Sequence, residues 1–202
     1  MKNTSFFILG ILFIGSISCS SDDENITEPI TLSEIEINDL KVLREEEKLA
    51  RDVYVYAYNL YGNNIFINIS QSEQQHMDKI LVLLKKYRIE DPVIPNYGEF
   101  TNQTLQGLYN DLTTQCDISL LEALKVGATI EDLDIKDIED FESRTNKTDI
   151  LNTYDKLKCG SRNHMRSYYS QLENNDVTYS SQFISESYLT TIIDSSNEKC
   201  GN

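Results

Sequence analysis

Four long stretches of this 202-residue chain repeat apolar residues at steps of three and four, and no long stretch alternates with the period of two that a strand requires. The chain is therefore expected to be all-α, with each long helix burying one stripe. The first helix is predicted from Asn38, as N-cap, to Tyr61, with Gly62 as its stop. The second covers Ile65 to Tyr87. A connection rich in proline, "DPVIPNYGEF", follows and leads into a shorter helix from Asn102 to Thr114. Ser119 and Glu122 form a capping-box pattern opening the third long helix, which lasts to Phe141. The last long helix runs from Lys147 to Leu172 with Gly160 inside it, where close packing or a local bend is expected. A further short helix fits "SESYLTTII" in the polar tail. The expected architecture is a four-helix bundle whose long crossover carries an extra short helix.

Every inward stripe is interrupted by ionisable groups. They are Glu47 on the first helix, Glu73 and His76 on the second, Glu131 and Asp134 on the third, and His164 on the last. A buried, unpaired carboxylate or imidazolium costs several kcal/mol, so such groups must pair with one another, be hydrated or hold a cation. The chain has only two histidines, and both fall on these stripes. Carboxylates and imidazoles projecting from four helices match the way bundle cores hold metal ions. Oxygen-rich ligation with two imidazoles suits one or two iron or manganese ions, and zinc would be tolerated. Glu45 and Glu46 read as solvated neighbours of Glu47, Tyr54 and Tyr168 as core aromatics, and Arg51 and Arg162 as groups that orient acids.

These residues also carry a resemblance. "EKLARDVYVYA" resembles the first-helix pattern E-x-x-A-x-x-x-Y of rubrerythrin-type ferritin-like proteins, Glu73-x-x-His76 their second-helix ligand pair, and Glu131-x-x-Asp134 the paired acids of their third. More closely, "REEEKLARDVY", "SEQQHM", "ALKVGATIEDLDI" and "GSRNHMRS", in that order, are similar to the bacterial ferritin-like family catalogued as domain of unknown function 2202. The likeness spans about Leu40 to Leu172 and implies a ferritin-like fold without supplying a reaction. It has one departure: where a di-iron member offers a glutamate three residues before the last-helix histidine, this chain has Ser161. Asp134 could compensate, a water or hydroxide could fill the place, or the site could hold one metal.

The N-terminus reads as a targeting segment. Lys2, the apolar run from Phe6 to Ile17 and the small residues before Cys19 form a secretory signal over residues 1–18, too short to span a bilayer as a finished helix. The stretch ending at Cys19 resembles a lipoprotein lipobox, which would make Cys19 the lipidated residue and residues 19–37 a tether. The implied location is extracytoplasmic, anchored to a bacterial outer membrane. The folded bundle is assigned to residues 38–174 and a tail to 175–202. Outside the cytoplasm a disulfide is permitted. A Cys159–Cys200 link is expected, with Cys116 as the competitor.

A net charge of −15 disfavours nucleic acid and anionic lipid surfaces and favours cations. There is no Walker loop, no G-x-G-x-x-G after a strand and no G-x-S-x-G elbow. Three functions remain: an iron-dependent oxidoreductase acting on ferrous iron, dioxygen or peroxide; a metal-sequestering lipoprotein without turnover; or a metal-free helical interaction module at the cell surface. Metal ions and the membrane are the expected partners, and assembly as a dimer is left open.

Overall fold

The computed structural model describes residues 31–201. The proposed signal, Cys19 and most of the proposed tether lie outside the described residues. Among the described residues all regular structure is helical.

The first helix, α1, spans Glu34–Tyr61. It starts ahead of the expected Asn38, because Ser33 Oγ accepts from the Glu36 amide while the Glu36 carboxylate accepts from the Ser33 amide, a complete capping box. The expected tether thus loses its last residues to the helix. At the other end Gly62 stops α1 with a φ of 63°. The second helix, α2, covers Asn64–Tyr87, and the crossover then carries α3, Gln103–Cys116. Helix α4 spans Leu120–Glu142, α5 Thr148–Glu173 and α6 Glu186–Ile193. Ser119 caps α4 by accepting from the Glu122 amide, but the Glu122 carboxylate turns to Lys125, so only half of the expected box forms.

Helix α1 packs on α2 and α4 on α5, and these two pairs close the bundle through α1 against α4 and α2 against α5. Helix α3 lies over α1 and α4, and α6 leans on α5. The apolar interior falls into two clusters. One contains Leu40, Leu43, Ile80, Leu84, Ile138 and Leu157. The other contains Val53, Tyr54, Phe66, Leu124, Met165 and Tyr168. Along every long helix the ionisable stripe residues fall between the positions that feed these two clusters, so a polar layer crosses the core.

Two glycines permit the helices to approach. A Cβ on Gly127 would stand 2.4 Å from a ring carbon of Tyr168, and one on Gly160 would stand 2.5 Å from Nε2 of His76. Close packing is therefore the role of Gly160, and α5 continues through it.

The crossover is held by charged groups of α1. Lys48, fully buried, donates to Asp52 and to the carbonyls of Asn96 and Glu99, and its ammonium sits 4.2 Å from the centre of the Phe100 ring. Glu45 is not a solvated neighbour of Glu47: it is 3% exposed and accepts from the Thr101 and Asn102 amides at the start of α3. The tail is fixed similarly. The Asp132 carboxylate is buried and accepts from Tyr179 Oη and from the amides of Gln182, Phe183 and Ile184. Cys159 and Cys200 are bonded, with Cα atoms 5.4 Å apart, while Cys116 is free and buried.

Hydrogen bonds to a charged acceptor contribute about 1.5–3 kcal/mol each, and loss of that acceptor leaves amides without a partner. Asp132→Ala is therefore expected to speed amide exchange at Gln182, Phe183 and Ile184 by at least about tenfold, the effect of roughly 1.4 kcal/mol. Exchange in α2 should stay unchanged, which native-state hydrogen exchange would establish.

Candidate metal centre

Helical periodicity delivers the polar layer. Glu73 and His76 lie three apart on α2 and share a face, as do Glu131 and Asp134 on α4 and Ser161 and His164 on α5. Glu47 faces them from α1. All are buried, from 0% exposure at Glu47 to 8% at His164.

Glu73 is central. Its Oε2 lies 2.9 Å from Nδ1 of His76 and its Oε1 lies 2.8 Å from Nδ1 of His164. Glu47 Oε2 approaches His76 Nδ1 to 3.1 Å, and Glu131 Oε2 approaches His164 Nδ1 to 3.4 Å. The imidazole rings lie 5.6 Å apart and are inclined by 30°. Two clusters of three donors result, Glu47 with Glu73 and His76, and Glu73 with Glu131 and His164, each with its ligand atoms within 4.8 Å of one another.

Proximity here is not hydrogen bonding. Of these four approaches only Glu47 to His76 has the direction of a hydrogen bond. Glu47 Oε1, both oxygens of Glu73 and Nδ1 of His164 are buried without any hydrogen-bond partner. A few such atoms occur in whole native domains, and each calls for an explanation such as an ion. Four of them together, carboxylate oxygens with an imidazole nitrogen, fit a divalent cation that takes oxygen and nitrogen ligands.

Neighbouring groups hold the donors in place. Tyr54 Oη donates to Glu131 Oε1 at 2.5 Å, which makes Tyr54 a core aromatic with a satisfied hydroxyl. Nε2 of His164 lies 3.0 Å from Ser72 Oγ, so with its proton on Nε2 the ring donates to Ser72 and turns the Nδ1 lone pair toward the carboxylates. Gly160 leaves the space that the His76 ring fills. Ser72 has no signal in the sequence beyond its place one residue before Glu73.

Asp134 is the expected site residue that the structure leaves out of both clusters. Ser161 Oγ donates to Asp134 Oδ2 at 2.8 Å, so the short hydroxyl on α5 is answered by a carboxylate from α4. Glu46 is only partly buried, and its carboxyl faces Asp137; one of its oxygens is buried without a partner. The arginines orient acids as expected, though outside the layer: Arg51 donates to Asp52, and to Gln74, and Arg162 donates to Glu198.

Burial and mutual charge set the protonation of the layer. Burial opposes charge on His76, yet Glu47 and Glu73 push its pKa up to about 9. His164, also opposed by burial, is driven well up by Glu73 and Glu131. Burial raises Glu47 to about 7 against the pull of His76. Burial acts against the Glu73 charge too, but His164 and His76 hold that carboxyl well below the ordinary range. Burial and the neighbouring carboxylates raise Asp134 strongly, and burial raises Glu131. A cation would take over the roles of the protons that hold these donors together.

The family described as "Uncharacterized protein domain (DUF2202)" matches residues 17–196. The chain belongs to this family. An uncharacterized protein of Methanocaldococcus jannaschii, MJ0754, is 48% identical over 169 residues, covering 83% of this chain and 91% of that protein. The crystal structure of the hypothetical protein MJ0754 from Methanococcus jannaschii DSM 2661 superposes with a TM-score of 0.82, covering 83% of this chain and 96% of that one. This relative is archaeal, so the family is not confined to bacteria as the resemblance implied.

The raised pKa of His76 has a sign that can be tested. Because it exceeds the unfolded value of 6.5, its stabilisation is complete below 6.5 and is lost as pH rises through about 9. Glu47, raised from 4.5 to about 7, adds loss in the same direction. In chelator-treated protein the urea midpoint is expected to fall as pH rises from 6.5 to about 9, and His76→Gln should flatten that slope.

Proposed function

We propose that this protein binds iron or manganese as a ferritin-like bundle, at the two donor clusters that share Glu73, and that it acts as an oxidoreductase on ferrous iron with dioxygen or peroxide. The observation that carries this reading is the convergence of Glu47 Oε1, both Glu73 oxygens and His164 Nδ1, all buried and without hydrogen-bond partners. Resident iron or manganese would supply redox and Lewis-acid chemistry. The chain's own residues bind and orient. Glu47 and His76 on one side, and Glu131 and His164 on the other, would hold the ions together with Glu73, and Tyr54 and Ser72 fix Glu131 and His164. Three carboxylates and two neutral imidazoles nearly balance two divalent charges, so the ions would replace the protons that neutralise the bare layer. Zinc would also be accepted by this set.

Sequestration without turnover is the second reading. It is favoured by Ser161, which stands where a second bridging carboxylate would stand in a di-iron member, and by the near-complete burial of the donors. On either reading we place the protein outside the cytoplasm, held to a bacterial outer membrane through lipidated Cys19. That placement rests on the sequence of the first residues.

Elemental analysis after anaerobic ferrous reconstitution and desalting tests the proposal. About two irons per chain are expected, and loss of both in His76→Ala, His164→Ala or in Glu73→Gln. One iron per chain would make the centre mononuclear, and retention of the full content in all variants would refute the assignment. Exposure to oxygen should then change the visible spectrum reversibly with reductant, which sequestration would not require. Iron at 100 times its dissociation constant should stabilise the fold by about 2.7 kcal/mol. Affinity should tighten as pH rises through about 9, where His76 gives up its proton.

A further inference from the structure

The donor layer is not closed equally on all sides. Among its donors the His164 side chain is 11% exposed, against 4% for His76, 1% for Glu73 and Glu131 and 0% for Glu47. Its Nε2 meets Ser72, which is itself only half-buried, so the layer comes nearest to solvent where α2 and α5 face each other. The opposite seam, between α1 and α4, lies under the crossover helix.

The α2–α5 seam also carries a groove of about 940 Å³. His76 stands against Gly160 and Ser72 against His164, so the two helices run in opposite directions, and the next turn of the seam belongs to Asn68 and Ser167. Both line the groove, with Asn64 of α2 beside them and Asn197 of the C-terminal segment across from them. That segment is a fixed wall: Arg162 and Arg166 both donate to Glu198, and Cys200 is bonded to Cys159. The groove therefore reaches to within about one helical turn, roughly 5.4 Å, of Ser72 and His164.

The lining suits a hydrated cation. Amide and hydroxyl oxygens accept hydrogen bonds from coordinated water and can take its place on a hard ion. Glu173 and Asp194 line the groove with no ion-pair partner among the described residues, while its one cationic group, Arg166, is met by Glu198 at 2.8 Å. The net charge of −15 draws cations to the surface, and here the uncompensated acids lie beside an opening.

We propose that divalent cations reach the donor layer by this seam: the groove collects the hydrated ion, which passes inward at the Ser72–His164 contact. The destination rests on the metal centre proposed above; collection of a cation in the groove does not. Ser72 is then a positioning residue that holds His164 across the seam, and the disulfide-bonded C-terminal segment is the outer wall of the route.

Manganous ion, which broadens nearby resonances, is the first probe. In the His76→Ala, His164→Ala protein a substoichiometric amount should broaden the amide signals of Asn68, Ser167 and Asn197 before those of α3, and Glu173→Lys with Asp194→Lys should remove that preference. Cobaltous ion is the second, its uptake by chelator-treated protein followed through its visible absorption in stopped flow. Glu173→Lys with Asp194→Lys should slow uptake at low salt at least about tenfold, whereas Glu90→Lys with Asp111→Lys, an equal change of charge away from the seam, should not. The difference should shrink at about 1 M salt. Asn68→Trp, a substitution at an exposed position, should slow uptake while the final metal content stays that of the unmodified protein. No preference of manganous ion for the groove, or metal retained at the layer with uptake indifferent to every groove variant, would overturn the route and leave the centre standing. Broadening in the groove of an unmodified protein that retains no metal would refute the centre, and the route to it as well.

Discussion

The bundle is organised around one carboxylate. Glu73 sits at the centre of the interior with an imidazole nitrogen within 3 Å of each oxygen, and those imidazoles come from its own helix and from α5. A lone carboxylate there could not remain charged. Burial would force it to take up a proton, whereas two flanking imidazoles hold it ionised. Glu47 and Glu131 then approach the same two nitrogens from α1 and α4. Each of the four long helices is bound into the layer by at least one such contact.

Shape follows from the same centre. His76 needs space against α5, and Gly160 provides it; Tyr168 needs space against α4, and Gly127 provides that. Tyr168 in turn packs at a tilt against Tyr54, whose hydroxyl restrains Glu131. Backbone proximity at two glycines and the position of a carboxylate oxygen are consequently parts of one packing arrangement. The outer elements are secured by charge as well: Lys48 and Glu45 hold the crossover, and Asp132 holds the tail.

Much of this was legible because helical periodicity is a strong signal and an ionisable residue on an apolar stripe stands out. Glu47, Glu73, His76, Glu131 and His164 were found that way, and the structure brings all of them together. Asp134 lies on the same face, yet its orientation depends on the partner that Ser161 offers from another helix, which periodicity does not contain. The run from Glu45 to Lys48 shows the limit more clearly. Successive residues of a helix point about 100° apart, so these four project to the crossover, toward α4, into the layer and back beneath the crossover loop. From the sequence, Glu45 and Glu46 read as solvated neighbours of Glu47 in a charge run, and nothing there sets Lys48 apart. Only the position of the crossover buries Glu45 and Lys48, and that position is a tertiary fact. The start of α1 was missed for a local reason, since the Ser33 and Glu36 cap precedes the first long apolar repeat.

The polar layer crossing the interior also fixes how far the helices can slide. An apolar bundle tolerates one helix shifting along its neighbour by a turn, about 5.4 Å, because one leucine replaces another in the seam. Here a shift of that size would carry Glu73 or His164 among leucines and leave its former partners facing hydrocarbon. Every out-of-step arrangement is penalised at the same level along the bundle, so the residues that make a metal centre plausible also serve as a vernier that gives the four helices one alignment.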